Sequence, residues 1–194
     1  MLDTIRLLDG TLLIRFQNAF VCEWLTPIIK FITHLGDRGT VWIAITVILL
    51  IFKKTRKAGV FAALALLGSL LINNIILKNL IARERPYEVF TGVKRLIEIQ
   101  RDYSFPSGHS GSSFAAAVAI CLGLPEKLRK SLGIAVIILA SFISLSRLYV
   151  GVHYPIDVFF GVLNGIIIAF SINKAFEYRE RRKGIGEYHN DKSR

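Results

Sequence analysis

Residues 104–124 read SFPSGHSGSSFAAAVAICLGL. Proline, serine and glycine lead straight into an apolar run, Ser110–Leu124, with a histidine at the seam. Pro106 and Ser107 mark a helix start, and Ser107 is placed to cap it by accepting a hydrogen bond from a first-turn N–H. Gly108 lets the backbone come close to a ligand, and His109 stands in the first turn. The free N–H groups of such a helix start attract anions. The segment predicts an apolar helix whose polar beginning is an anion-binding position.

The same alternation of apolar run and polar break extends to both sides. Thr40–Phe52, Ala58–Leu77, Ser131–Ser146 and Pro155–Ile172 are further apolar runs, and Ala19–Leu35 is a weaker one carrying Glu23, Lys30 and His34. A spanning helix takes about 20 residues, so the shorter runs extend into their flanks. The reading is an all-α, integral membrane six-helix bundle, with Ala19–Leu35 facing the bundle as a span; an amphipathic helix at the interface is its alternative. Residues 1–176 form the transmembrane domain, and 177–194 a charged cytoplasmic tail.

Composition agrees with a bilayer protein. Of the 194 residues 53% are hydrophobic, and the mean hydropathy is +0.49 despite a net charge of +11. The basic residues lie between apolar runs and not on one polar domain, which argues against nucleic-acid binding. They form three clusters: Lys53, Lys54, Arg56 and Lys57; Lys127, Arg129 and Lys130; and Lys174, Arg179, Arg181, Arg182 and Lys183. Alternating spans put all three on one side, which the positive-inside rule makes the cytoplasm. Arg83–Phe105 and Leu148–Tyr154 then lie outside. In the outer loop Tyr87–Tyr103, Phe90 and Ile97 are placed to lie on the membrane and guide a lipid. Cys22 and Cys121 sit in apolar stretches and imply neither a disulfide framework nor a metal site. The first 18 residues carry Asp3 and Asp9 and lack the pattern of a cleavable signal. The sequence sets no oligomeric state.

Two more polar groups of residues fall on the outer face. In KNLIARERP, Lys78 and Arg85 are seven residues apart, about two helical turns, on one face of a helix that Pro86 ends. In SRLYVGVHYPID, residues 146–157, Arg147 ends one span and Pro155 opens the next helix. Asp157 follows His153 by four residues, within reach of its imidazole. A carboxylate on one ring nitrogen sets the tautomer and makes the other nitrogen a better nucleophile. Taken singly, each group has an ordinary explanation: snorkelling cations, a capped helix, an acid at a helix start. Together they bring three cations, two histidines, one carboxylate and a helix N-terminus to one face. Such a set binds and transfers a phosphoryl group. The spacing leaves open which histidine attacks.

In order, and without departure at the polar positions, K-x6-R-P, P-S-G-H and S-R-x5-H-x3-D resemble the type 2 phosphatidic acid phosphatase superfamily over Lys78–Asp157. The resemblance implies a six-helix membrane bundle and hydrolysis that uses neither a metal nor another cofactor. It implies that His153 attacks phosphorus and becomes a phosphohistidine, that Asp157 orients it, and that His109 protonates the leaving oxygen. Lys78, Arg85, Ser107, Gly108 and Arg147 then hold the phosphate oxygens. The implied substrate is a lipid phosphate in the bilayer, such as phosphatidylglycerophosphate, phosphatidic acid or undecaprenyl diphosphate. Two alternatives stand beside this: a phosphotransferase of the same fold, and a non-enzymatic lipid-phosphate binder or transporter. The binder has no need of His109 or of the His153–Asp157 pair. The soluble haloperoxidases and acid phosphatases of the superfamily are disfavoured by the apolar composition.

Overall fold

Small side chains fill the inside of this chain and large apolar ones cover its outside. Ala62, Ala65, Ala115, Ala116, Ala119 and Ala169 are fully buried, while Ile43, Val47, Leu67, Ile138, Phe142 and Ile167 are exposed. Lipid tails are as apolar as leucine, so helices in a bilayer associate through close packing of small residues. The surface distribution is that of a protein surrounded by lipid.

The structure, a computed structural model, describes residues 2–191, and among them it contains helices and no strand. Helix α1 covers Leu2–Phe20, α2 Thr26–Leu35 and α3 Thr40–Ile51. Helix α4, Arg56–Ser69, runs through a π-helical segment, Leu70–Leu77, into α5, Lys78–Ile81. The short α6 is Pro86–Val89, and α7 is Gly108–Gly123. Helix α8, Glu126–Leu128, continues through a second π-helical segment, Arg129–Gly133, into α9, Ile134–Tyr149, and α10 covers Pro155–Asp191. Three stretches, Arg56–Val89, Glu126–Tyr149 and Pro155–Arg182, are long and apolar enough to cross a membrane. Thr26–Leu35 and Asp37–Ile51 add a fourth if that pair, bent by 47°, is one span. The protein is a multi-pass membrane protein.

The first two expected spans are arranged differently from the sequence reading. Ala19 and Phe20 belong to α1, and the ten residues of α2 are about 15 Å long, half of a ~30 Å hydrocarbon layer. A 47° bend is also far from the reversal that two antiparallel spans require. Leu13 of α1 packs with Val93, Leu148 and Val158, and Gln17 Nε2 donates to the Lys94 and Tyr149 carbonyls at 2.7 and 3.0 Å. These partners lie at the end of α9, the start of α10 and the loop before α7. Helix α1 therefore runs across one end of the bundle.

Helix α7 is the centre, packed against α4, α9 and α10. A Cβ at Gly165 of α10 would stand 2.6 Å from the Gly111 carbonyl oxygen and 2.7 Å from Ala115 N, so only glycine lets the two backbones come this close. Trp42 Nε1 of α3 donates to Ser113 Oγ of α7 at 2.9 Å, satisfying the one polar atom of a fully buried indole.

The basic clusters share one end. Lys57 Nζ contacts Glu180 at 3.5 Å, and Gly123, just before the second cluster, packs on Ala58. The start of α7, the end of α5 and the start of α10 lie at the opposite end. Helix α10 passes residue 176 without a break; residues 192–194 of the expected tail lie outside the described residues.

Candidate active site

The start of α7 is built as its sequence requires. Ser107 is the N-cap, and its Oγ accepts from Ser110 N at 3.4 Å and from Ser110 Oγ at 3.0 Å. A Cβ at Gly108 would stand 2.6 Å from Asn74 Oδ1, which explains glycine there. The Ser107 N–H donates to the Asp157 carbonyl at 3.0 Å, which ties the start of α7 to the start of α10.

Lys78 and Arg85 do not share a helical face. Helix α5 closes at Ala82, in the left-handed region at φ 48°, and Arg85 is extended at φ −78°, ψ 151°. The residue before a proline is disfavoured from the α region, so Pro86 opens α6 instead of ending α5. The two cations converge on a common acceptor. Lys78 forms an ion pair with Asp102, and Arg85 Nη2 donates to Asp102 Oδ1 at 2.5 Å. Arg85 also donates from Nε to the Asp102 carbonyl at 2.9 Å and from Nη1 to the Val152 carbonyl at 2.7 Å. Burial pushes the Asp102 carboxyl up, but Lys78 and Arg85 outweigh it and hold the group well below the usual carboxylate range.

His153 is buried on the short loop between α9 and α10, with Nε2 3.4 Å from Arg85 Nη1. Its Nδ1 stands 3.6 Å from Asp157 Oδ2, inside ion-pair range but longer than a hydrogen bond, and that nitrogen has no other partner. Burial, then the charges of Arg85, Arg147 and Lys78, hold the His153 imidazole well below its ordinary value, so it is neutral at pH 7. Asp157 is fully buried and accepts from Tyr154 N at 2.9 Å, from Ser104 Oγ and from Arg83 Nη1 at 2.6 Å. The second arm of Arg83 donates to Asp9 Oδ2 of α1 at 2.7 Å, and its guanidinium lies 3.8 Å over the Tyr154 ring. Arg147 is buried, donates from Nη1 to Thr33 Oγ1 of α2 at 2.6 Å, and leaves Nε without a partner.

A cleft of about 1150 Å³ opens onto these groups. Lys78, Arg85, Gly108, His109, Arg147 and His153 line it, whereas Ser107 and Asp157 are buried behind it. Its far part runs between α3 and α4 along Ile43, Val47, Leu50, Leu66 and Leu67. One end is cationic and the other apolar, which suits an anionic head joined to an apolar tail. The expected lipid guides in the outer loop turn inward: Phe90 packs on Tyr154 with ring centroids 6.1 Å apart, and Ile97 joins the cluster around Tyr149 and Val150.

The chain is similar to known proteins along most of its length. The family model described as the PAP2 superfamily matches residues 58–181. The chain belongs to the PAP2 superfamily. An undecaprenyl-diphosphatase from Sulfolobus acidocaldarius is 37% identical over 146 residues, 75% of this chain and 68% of that protein. Phosphatidylglycerophosphatase B from Bacillus subtilis is 29% identical over 168 residues, 82% of this chain and 78% of that protein. The crystal structure of Aquifex aeolicus LpxE superposes with a TM-score of 0.72 at 28% identity, covering 84% of this chain and 93% of that one. A phosphatidylglycerolphosphate phosphatase from Bacillus subtilis superposes at 0.73 with 28% identity, covering 91% and 87%. The protein is a membrane phosphatase of this superfamily.

Several residues that meet at this site are fixed positions of none of the three sequence motifs. Asp102 is one, and Arg83, two positions before Arg85, is another. Asp9 was read only against a signal peptide, yet it joins α1 to Arg83 and accepts from Ile156 N at 3.1 Å. The available signal was charge placement, since Asp9 and Arg83 are ionisable residues beside apolar runs. Arg83→Leu leaves Asp9 and Asp157, 1% and 0% exposed, without their shared cation. Removing one partner of a buried ion pair costs about 3–5 kcal/mol. We expect a lowered unfolding temperature in detergent, with Arg83→Lys retaining part of the loss.

Proposed function

We propose that this protein hydrolyses a phosphate monoester or diphosphate lipid through a phosphohistidine on His153. The observation that carries the proposal is a buried, neutral His153 at the cationic head of a cleft whose other part is an apolar slot between two membrane helices. In the first step the Nε2 lone pair attacks phosphorus, the bond from phosphorus to the lipid oxygen breaks, and His109 gives that oxygen a proton. In the second step a water gives its proton to His109, attacks the phosphohistidine and releases phosphate. Asp157 orients His153 and stabilises the charge it gains, closing the 3.6 Å separation of the resting site. Lys78, Arg85, Arg147 and the N–H groups at Gly108 hold the phosphoryl oxygens, and Ser107 caps the helix that supplies those N–H groups. The incoming phosphate displaces Asp102 from Lys78 and Arg85. Phosphatidylglycerophosphate, phosphatidic acid and undecaprenyl diphosphate fit the slot in chemistry, and the relatives' names support the first and third. The presence of both histidines and Asp157 favours an enzyme over a binder.

The proposal places the site on the extracytoplasmic face. The three basic clusters occupy the opposite end, which the positive-inside rule assigns to the cytoplasm. In this reading the bent α2–α3 pair, α4–α5, α7, α8–α9 and α10 form the bundle, and α1 lies in the outer interface. Exposed Ile5, Leu8, Leu12 and Phe20 on α1 and Trp24 beside it suit that position. The charged tail, residues 177–194, then lies in the cytoplasm, with α10 running into it as far as Asp191.

Purified protein in detergent releases phosphate from a lipid phosphate with EDTA present, and His153→Ala abolishes that release; full activity in the variant rules out the assigned nucleophile. Protonation of His153 removes its lone pair, and its value lies well below the ordinary imidazole value of about 6.5. The acid limb of kcat/KM is therefore expected well below that pH, and a limb at or above it contradicts a buried neutral nucleophile. A cysteine placed at Lys94 is expected to react with an impermeant maleimide in intact cells. Labelling only after lysis overturns the topology.

A further inference from the structure

The turn between α2 and α3 carries a carboxylate that none of the three motifs contains. Gly36–Asp37–Arg38–Gly39 breaks the bent pair, with Arg38 at φ 53° and Gly39 at φ 72°. A left-handed arginine is uncommon, and here it lets the chain turn while Asp37 faces the cleft. Asp37 Oδ1 lies 3.0 Å from His109 Nε2, and Asp37 Oδ2 lies 2.8 Å from His34 Nδ1. The turn also grips the ring of His109: a Cβ at Gly36 would stand 2.6 Å from its Cδ2.

The charges around His109 explain what this contact is for. Lys78, Arg85 and Arg147 line the same cleft, and His153 faces it from the loop before α10. The other carboxylate on the cleft wall, Asp102, is committed to Lys78 and Arg85. A histidine among three cations is discouraged from taking up a proton. A general acid must nevertheless hold one when the leaving oxygen departs. Asp37 is the carboxylate in contact with His109, and it reaches Nε2, which leaves Nδ1 for the substrate.

We infer that Asp37 is a positioning residue for the proposed acid: it accepts the Nε2–H of His109, fixes the ring, and stabilises the imidazolium that donates from Nδ1 to the leaving lipid oxygen. His34 holds the second carboxylate oxygen and so sets the rotamer of Asp37. After the donation His109 is neutral, and the proton it takes from the attacking water restores the imidazolium. The inference rests on the role proposed above for His109, and leaving-group chemistry separates the two.

An alkyl phosphate such as decyl phosphate expels a strongly basic alkoxide and needs the acid, whereas p-nitrophenyl phosphate expels a weakly basic phenolate and does not. With the purified full chain in detergent, His109→Gln is expected to lower kcat/KM for decyl phosphate about 10²-fold or more, and Asp37→Asn about tenfold or more. The kcat/KM for p-nitrophenyl phosphate, which reports the steps through departure of the phenolate and not the later water step that also uses His109, falls no more than about threefold in either variant. In a His109→Gln background, Asp37→Asn changes decyl phosphate turnover by less than about twofold, because the group it serves is gone. An equal loss on both substrates in Asp37→Asn, no loss on decyl phosphate, or a full additional loss in the double variant overturns the inference. If His109→Gln itself treats both substrates alike, the assignment of His109 as the acid fails. If His109→Gln discriminates and Asp37→Asn does not, only the role of Asp37 fails.

Discussion

Positive charge buried at one end of an apolar bundle is the constraint from which the rest of this structure follows. Lys78, Arg85 and Arg147 are nearly inaccessible, in a molecule whose sides face hydrocarbon. An uncompensated ion in such a place costs several kcal/mol. Compensation is supplied unevenly. Asp102 serves Lys78 and Arg85 together, and Arg83 is shared by Asp9 and Asp157. Arg147 meets only a threonine hydroxyl, with its Nε left unpartnered. The uncompensated remainder lies on the wall of the cleft, and a phosphoryl dianion is the ligand whose charge matches it.

The packing that brings these groups together depends on small residues. Gly161 and Gly165 of α10 let that helix approach α7 until their backbones nearly touch, since a Cβ at either would stand 2.6 Å from a carbonyl oxygen, of Ser107 or of Gly111. That approach sets the N–H of Ser107 on the Asp157 carbonyl, so the start of one helix is registered against the start of the other. A larger residue at either glycine would separate the anion-binding helix start from the loop that carries His153. The small-residue interior that suits a lipid solvent is thus also what closes the site.

The two N-terminal helices hold the site from outside the matched motifs. Helix α1 crosses the end of the bundle and sends Asp9 to Arg83 and to the first turn of α10. Helix α2 supplies Thr33 to Arg147, and the turn after it supplies Asp37 to His109. Both helices precede residue 58, where the family match begins. Both also expose large apolar side chains, among them Leu7, Leu8, Leu12, Ile28 and Phe31, so elements with lipid-suited surfaces also touch the groups that line the cleft.

Much of this was legible in the sequence alone. The apolar runs and their basic borders determined a membrane helical protein, because a bilayer demands long apolar helices and sorts lysine and arginine to one side. The polar residues at three helix ends pointed to phosphoryl chemistry, since Ser107, His109, Arg147, His153 and Asp157 lie within short motifs. Tertiary structure decided the rest. Ala82 turned left-handed, so Lys78 and Arg85 met at Asp102 and not on one helical face. Segments expected as two spans became a bent pair with α1 laid across the end. Asp9, Asp37, Arg83 and Asp102 joined the site from positions 17 to 74 residues away from their partners, counting Asp9 to Arg83, Asp37 to His109, Arg83 to Asp157 and Asp102 to Arg85. Charge compensation in a buried site acts through space, and one-dimensional spacing carries no record of which distant carboxylate will be drawn to which buried cation.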